Sequence, residues 1–215
     1  MIPIQMQPEP LHFLKKVKEP GEKFLAAHPN PTSWINREYW REALDDLCKS
    51  YSRICAYSCH WISPCTGAST VDHFKPISKY PREAYCWENF RLACSLLNSR
   101  KKDFEDVLDP FTLEEGWFVI DFDTLNVLPN PYLSETNVQR VTATIERLRL
   151  NDDGDCFQER ANWLGDYITG EIPFSHLKKK APFTAKELER QNLVEEIKLR
   201  TPVWLRSIKN DLTRQ

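Results

Sequence analysis

Two short runs set the expected architecture: Thr70-Val71-Asp72-His73-Phe74-Lys75-Pro76, and Trp87-Glu88-Asn89-Phe90-Arg91-Leu92-Ala93-Cys94-Ser95-Leu96-Leu97-Asn98-Ser99-Arg100-Lys101-Lys102-Asp103. Thr70 to Phe74 has strand composition, and Pro76 stops further pairing. Phe90 to Cys94 is a short apolar run that reads as a second strand. Ser95 is a candidate cap for a helix starting at Leu96. Asn98 then falls in the first helical turn, with Arg100, Lys101 and Lys102 after it. Asp72 is a hard oxygen ligand beside His73, a base that titrates near neutrality. Adjacent residues of a regular strand point to opposite faces. Asp72 and His73 therefore share a site only at a strand end or a bulge, and Pro76 makes a strand end the expectation.

The surroundings of this stretch are locally basic. From Asp72 to Asp103 there are seven Lys or Arg against four Asp or Glu, whereas the whole chain carries a net charge of −2. That balance excludes a globally basic DNA-coating protein but leaves room for a local basic site. Free N–H groups at a helix start favour phosphate oxygens, and the basic residues add charge.

The pattern Asp-His, then Trp-x-Asn, then Cys-x-x-x-Asn with a basic run resembles the HNH endonucleases, a branch of the ββα-metal nucleases. The match runs from Cys55 to about Asp103. The texture of the rest, with Phe-Lys-Pro after the Asp-His, is similar to small HNH proteins of bacterial anti-phage systems, such as the nuclease partners of Septu, of retron-linked Septu operons and of type II Zorya. The resemblance implies that His73 is the general base that activates water. It implies that Asp72 and Asn98 hold one Mg²⁺ (or Mn²⁺). Asn89, counted with the catalytic set, would pin the loop between the strands and orient His73. Many members carry His at the position of Asn98, and the Asn form is a known variant. Lys75, Arg100, Lys101 and Lys102 would contact the nucleic-acid backbone. The implied reaction is metal-dependent hydrolysis of DNA phosphodiester bonds, leaving a 5′-phosphate and a 3′-hydroxyl. Such hydrolysis needs an in-line nucleophile and charge neutralisation on the phosphate.

The seven cysteines sit in a chain with no signal-peptide apolar region near its N-terminus, so disulfides are not expected and a cytoplasmic location is. Many HNH members hold a structural Zn²⁺ with two Cys-x-x-Cys pairs. Here the matching candidates are Cys55, Cys59 and Cys94, while Leu97 stands where a fourth ligand would be. Cys65, Cys86 and His60 are nearby substitutes. The alternative is that the cysteines are small buried apolar residues, with Trp61, Trp87 and Phe90 packing the core instead.

At 215 residues, with 41% hydrophobic and 28% charged residues, the chain has ordinary globular composition and enough length for a core. No run of about 18 apolar residues exists, so no membrane span is expected. The expected fold is α+β: a small ββα-metal nuclease core at 53–108, wrapped by an N-terminal strap and helix (1–52) and by a β-hairpin with a helical extension (109–215). Six prolines break residues 3–31 against any long helix, apart from a short one over Leu11 to Lys18. Asn36 to Ser50, Thr136 to Leu150, Phe157 to Thr169, Thr184 to Leu199 and Val203 to Leu212 are expected helices. Gly116 to Val127 reads as strands, and Lys178-Lys179-Lys180 as a solvated loop.

Two partners are expected. One is DNA. The other is a gating protein, an ATPase or sensor subunit, because a small module offers little surface for sequence readout and ungated cutting harms the host. A competing reading is a catalytically silent nucleic-acid-binding or assembly subunit. A third is a structural zinc module for protein contacts.

Overall fold

A computed structural model describes residues 1–152 and 154–199. The architecture is mixed α and β, with two small antiparallel sheets set among helices. Strand β1 (Ser69–His73) pairs with β2 (Phe90–Cys94) in unbroken register, from Ser69 opposite Cys94 to His73 opposite Phe90. β2 passes directly into a helix at Ser95–Lys101. The second strand lies where the apolar run predicted it. The first begins and ends one residue before the expected span, and the helix begins at Ser95 itself, so Ser95 does not cap it.

The N-terminal segment is more helical than its prolines suggest. Leu14–Lys18 forms wide π-type turns that run on into helix α1 (Glu19–Ala27). Pro20 lies in the first turn of α1, where a missing N–H breaks no intrahelical bond. Gly21 is buried, and a Cβ there would lie 2.2 Å from the Tyr85 ring. Asn36, the expected helix cap, is instead a left-handed residue (φ 59°). The helix predicted behind it starts later and splits into a 3-10 turn (Tyr39–Ala43) and α2 (Leu44–Ser50).

With the Ser95–Lys101 helix numbered α3, the C-terminal half contains a hairpin of β3 (Phe118–Ile120) and β4 (Val127–Pro129), followed by α4 (Glu135–Leu148) and α5 (Cys156–Thr169). Ser134 caps α4, its hydroxyl accepting from the Asn137 N–H at 3.4 Å. The helix ends on Arg149 in the left-handed region, before the expected Asn-Asp-Asp-Gly stop. Gly170 (φ 83°) ends α5 as predicted.

The lysine run at 178–180 is not a loop. It is the last turn of α6 (Phe174–Lys180), where cations suit the negative end of the helix dipole. Thr184 does not open the next helix but lies inside α7 (Pro182–Arg190), its hydroxyl buried with no partner. Asn192 in the left-handed region stops α7, and a separate 3-10 turn covers Glu196–Leu199. The expected helix from Val203 to Leu212 lies outside the described residues.

One connected core of buried apolar residues runs from Met1 and Phe13 through Phe90 and Leu97 to Leu188 and Ile197. The N-terminal segment is tied across it: the Trp87 indole donates to the Gln7 carbonyl at 2.7 Å, and the Ile4 N–H to the Pro110 carbonyl at 2.8 Å. Among the described residues no helix is long and apolar enough to cross a membrane.

Candidate functional site

The β1–β2–α3 unit carries Asp72, His73, Cys94, Asn98, Arg100 and Lys101 of the predicted set; Lys75 and Asn89 lie in the loop between its strands, Lys102 just past α3, and Cys55 and Cys59 after α2. β1 stays regular up to its last residue, and its two terminal side chains have different surroundings, as strand alternation requires. The Asp72 carboxylate meets α3 and the loop after α2. The His73 ring lies among aromatics.

Asp72 is 2% exposed, and both its oxygens are taken. The Tyr57 hydroxyl donates to Oδ2 at 2.5 Å, and the Lys101 ammonium lies 3.2 Å from Oδ1. The same ammonium donates to the His73 carbonyl at 2.9 Å. Burial pushes the Asp72 carboxyl up, and Lys101, Tyr57 and Arg91 pull against that shift. Burial and the neighbouring carboxylate hold the Tyr57 phenol well above its ordinary value, so the phenol keeps its proton and donates it.

His73 Nε2 lies 3.0 Å from the Ala84 carbonyl. A carbonyl only accepts, so Nε2 carries the hydrogen and Nδ1 holds the lone pair. The ring stands edge-on to Trp40 (4.8 Å between centroids) and Phe90 (5.2 Å). Burial lowers its pKa to about 4, against the opposing pull of the Ala84 hydrogen bond, so the imidazole is neutral at physiological pH.

Asn89 holds the loop that leads from β1 back to β2. Its Oδ1 accepts from the Lys75 N–H at 2.7 Å, and its Nδ2 donates to the carbonyls of Lys75 (3.0 Å) and Glu83 (3.1 Å). Its own carbonyl accepts from the Phe74 N–H at 2.9 Å. One buried side chain thus ties both ends of the loop that carries Ala84, the partner of His73. Asn98 faces β1 from α3: Nδ2 donates to Thr70 Oγ1 at 3.0 Å and approaches the Val71 carbonyl at 3.4 Å. Asn98 and Lys101 are one turn apart on α3, and Thr70 and Asp72 are two residues apart on β1.

The predicted phosphate contacts are placed unevenly. Lys101 is fully buried, its charge turned toward Asp72 and away from solvent. Lys75 is half-exposed and paired with Glu83 at 3.1 Å. Arg100 pairs with Asp155 and donates to the Leu148 carbonyl at 3.1 Å. Lys102 is exposed, in the left-handed region just past α3. Arg91 carries no mark of a site in the sequence. It lies opposite Asp72, buried, with its guanidinium bidentate to Asp109 (2.8 and 2.7 Å) and 3.5 Å above the Phe111 ring.

Of the cysteines, Cys55 and Cys94 come together, their sulfurs 4.0 Å apart. Burial raises the Cys55 thiol, but donors from Cys94 and Ser58 outweigh it and bring its pKa to about 6. Cys59 is buried, its thiol raised by desolvation. His60 is buried, with its pKa lowered to about 3 by desolvation and by the nearby Arg160 and N-terminal charges. Among the described residues no group of three or more His, Cys, Asp or Glu side chains is placed to hold a metal ion.

Tyr57 and Trp40, which touch the two motif residues, gave no signal in the sequence. Each lies far upstream, and only the fold brings it to β1. No protein-family model matches the chain, and no curated protein matches it.

Proposed function

We propose that the chain is an endonuclease that hydrolyses DNA phosphodiester bonds with His73 as general base. On this reading it is the effector of an anti-phage system and works with a gating partner protein. The observation that supports the reading most is the coupling of Asn89 to His73. Asn89 fastens the loop between the strands, and Ala84 in that loop fixes the ring with Nδ1 as its basic atom. A neutral imidazole of fixed tautomer is what proton abstraction from water requires. In this proposal Nδ1 takes the proton of the attacking water while Nε2–H stays on the Ala84 carbonyl. Lys75 and Lys102, on the exposed side of the unit, are the contacts to the phosphate backbone.

The resemblance also implies a divalent cation on Asp72 and Asn98. As arranged, Asp72 does not fit one: its two oxygens are engaged by Tyr57 and Lys101, and an ammonium already supplies the positive charge. Divalent ions of this kind need free oxygen ligands. On this reading no step runs through a metal.

The closed Asp72–Lys101–Tyr57 cluster favours a second reading, a nucleic-acid-binding or assembly subunit without catalysis. One assay separates the two. Supercoiled plasmid is incubated with the chain in Mg²⁺, in Mn²⁺ and in EDTA, beside a His73→Ala variant. Nicking or linearisation that the variant lacks supports the nuclease. Cleavage by the variant equal to that of the wild type rules out His73 as the base. No cleavage by the chain alone is what a gated enzyme and a silent subunit both give; DNA binding with no cleavage once the copurifying partner is present favours the silent subunit.

A further inference from the structure

The geometry points to Cys55 and Cys94 as an oxidative modification site, a dithiol that a hydroperoxide converts to an intramolecular disulfide. The two residues are 39 apart in sequence, yet their sulfurs lie 4.0 Å apart. The Cys94 backbone N–H donates to Cys55 Sγ at 3.4 Å. The segments that carry them are held together independently, because the Ala56 N–H donates to the Leu92 carbonyl at 2.8 Å. The approach of the sulfurs is therefore built into the backbone.

Cys94 is half-buried and Cys55 is buried, but both border the same opening. Cys55 and Cys94 line an open cavity of about 400 Å³, with Cys156, Trp61 and Trp163 around it. Hydrogen peroxide is small enough to enter. An N–H aimed at Cys55 sulfur favours its thiolate, the nucleophilic form. The thiolate attacks one peroxide oxygen, and the O–O bond breaks. The released hydroxide takes a proton and leaves as water, and Cys55 becomes a sulfenic acid. The Cys94 sulfur then attacks Cys55 sulfur, the S–O bond breaks, and a second water leaves with the thiol proton. Two thiols and one peroxide give one disulfide and two waters.

The bond would fasten the loop after α2 to the residue before α3. That loop holds Tyr57, and α3 holds Lys101, the two donors to Asp72. Oxidation would thus lock the two sides of the buried cluster onto each other.

The test maps thiols in the full chain. Zinc content is measured first, and the reduced protein is then treated with one equivalent of hydrogen peroxide, alkylated and digested. The expected result is the loss of two of the seven thiols, with a Cys55–Cys94 linked peptide. In Cys94→Ser, with an unchanged circular-dichroism spectrum, Cys55 is expected to form a sulfenic acid that dimedone captures. If that variant does not fold, the wild-type map alone decides. Three results overturn the proposal: oxidation of exposed Cys65 while Cys55 and Cys94 stay alkylatable, a bridge to Cys156, or stoichiometric zinc on these thiols that blocks peroxide until it is chelated.

Discussion

The Lys101 ammonium and the Asp72 carboxylate form an ion pair at 3.2 Å with both side chains at most 2% exposed. Buried pairs owe their worth to completeness, since each charge has lost its water. Here Tyr57 donates to the other carboxylate oxygen, and the His73 carbonyl accepts from the same ammonium.

Removing one partner strands the other. Lys101→Met is expected to cost about 3–5 kcal/mol, because Asp72 is left as an unpaired buried charge. Replacing both, as Asp72→Leu with Lys101→Met, is expected to recover most of that loss, since well-packed apolar substitutes for a buried pair are often about neutral. Urea unfolding of the two singles and the double gives the coupling energy. Additive losses would mean that the two residues do not act as a pair.

Asn89 makes a different kind of prediction. Its amide serves one N–H and two carbonyls within the same loop. Asn89→Ala leaves the Lys75 N–H without its acceptor, at a cost of about 1–3 kcal/mol. Asn89→Asp keeps that acceptor but turns an oxygen toward the carbonyls of Lys75 and Glu83, so it is no rescue. Amide hydrogen exchange reads the effect locally. Protection of the Lys75 N–H is expected to fall in Asn89→Ala, while that of the Ala93 N–H, in the ladder opposite Thr70, is retained. Equal loss at both would indicate global unfolding and not a released loop.

These two clusters differ in how far the sequence revealed them. β2 was legible because a short stretch with four apolar residues among five, bounded by polar ones, reads as a strand. The position of Asn89 just before it pointed to the loop. Lys101 was misleading: within Arg-Lys-Lys it reads as a phosphate contact, and only the turn of α3 over β1 points it inward. Tyr57 carried no local mark at all. The helix breaks were hidden for a related reason. Asn36 and Asn192 adopt left-handed conformations that end or delay helices, and asparagine elsewhere is a good cap. Pro20 was overread as a breaker, since its effect depends on falling in the first turn or later.

Gly21 tests the packing of the N-terminal segment. The place of a Cβ is already filled by ring carbons of Tyr85 at 2.2, 2.3 and 2.7 Å. The Tyr85 hydroxyl is fixed by its bond to the Arg37 carbonyl at 2.8 Å, so the ring cannot simply turn away. Gly21→Ala should therefore destabilise by about 1–3 kcal/mol as overpacking, even though alanine is the better helix former. A Tyr85→Leu background is expected to relieve part of that cost. Thermal unfolding of the single and the double variants checks both statements.

Buried His60 and half-buried His73 set the behaviour in acid. His73 and His60 are held neutral by burial, at about 4 and about 3, against about 6.5 in an unfolded chain. Above pH 6.5 neither state binds the proton, and their contribution to stability is constant. Below it the unfolded chain takes up protons that the folded chain refuses. Stability then falls by up to about 1.4 kcal/mol per pH unit for each histidine, until the folded groups titrate in turn. Asp72 acts in the opposite sense at the acid end, because burial pushes its carboxyl up. Urea unfolding at pH 7, 6 and 5 is expected to show the decline. His73→Gln should flatten the slope between pH 6.5 and 4 by about one proton. An unchanged slope in that variant would mean that His73 already titrates normally in the folded chain, and that its ring is open to water.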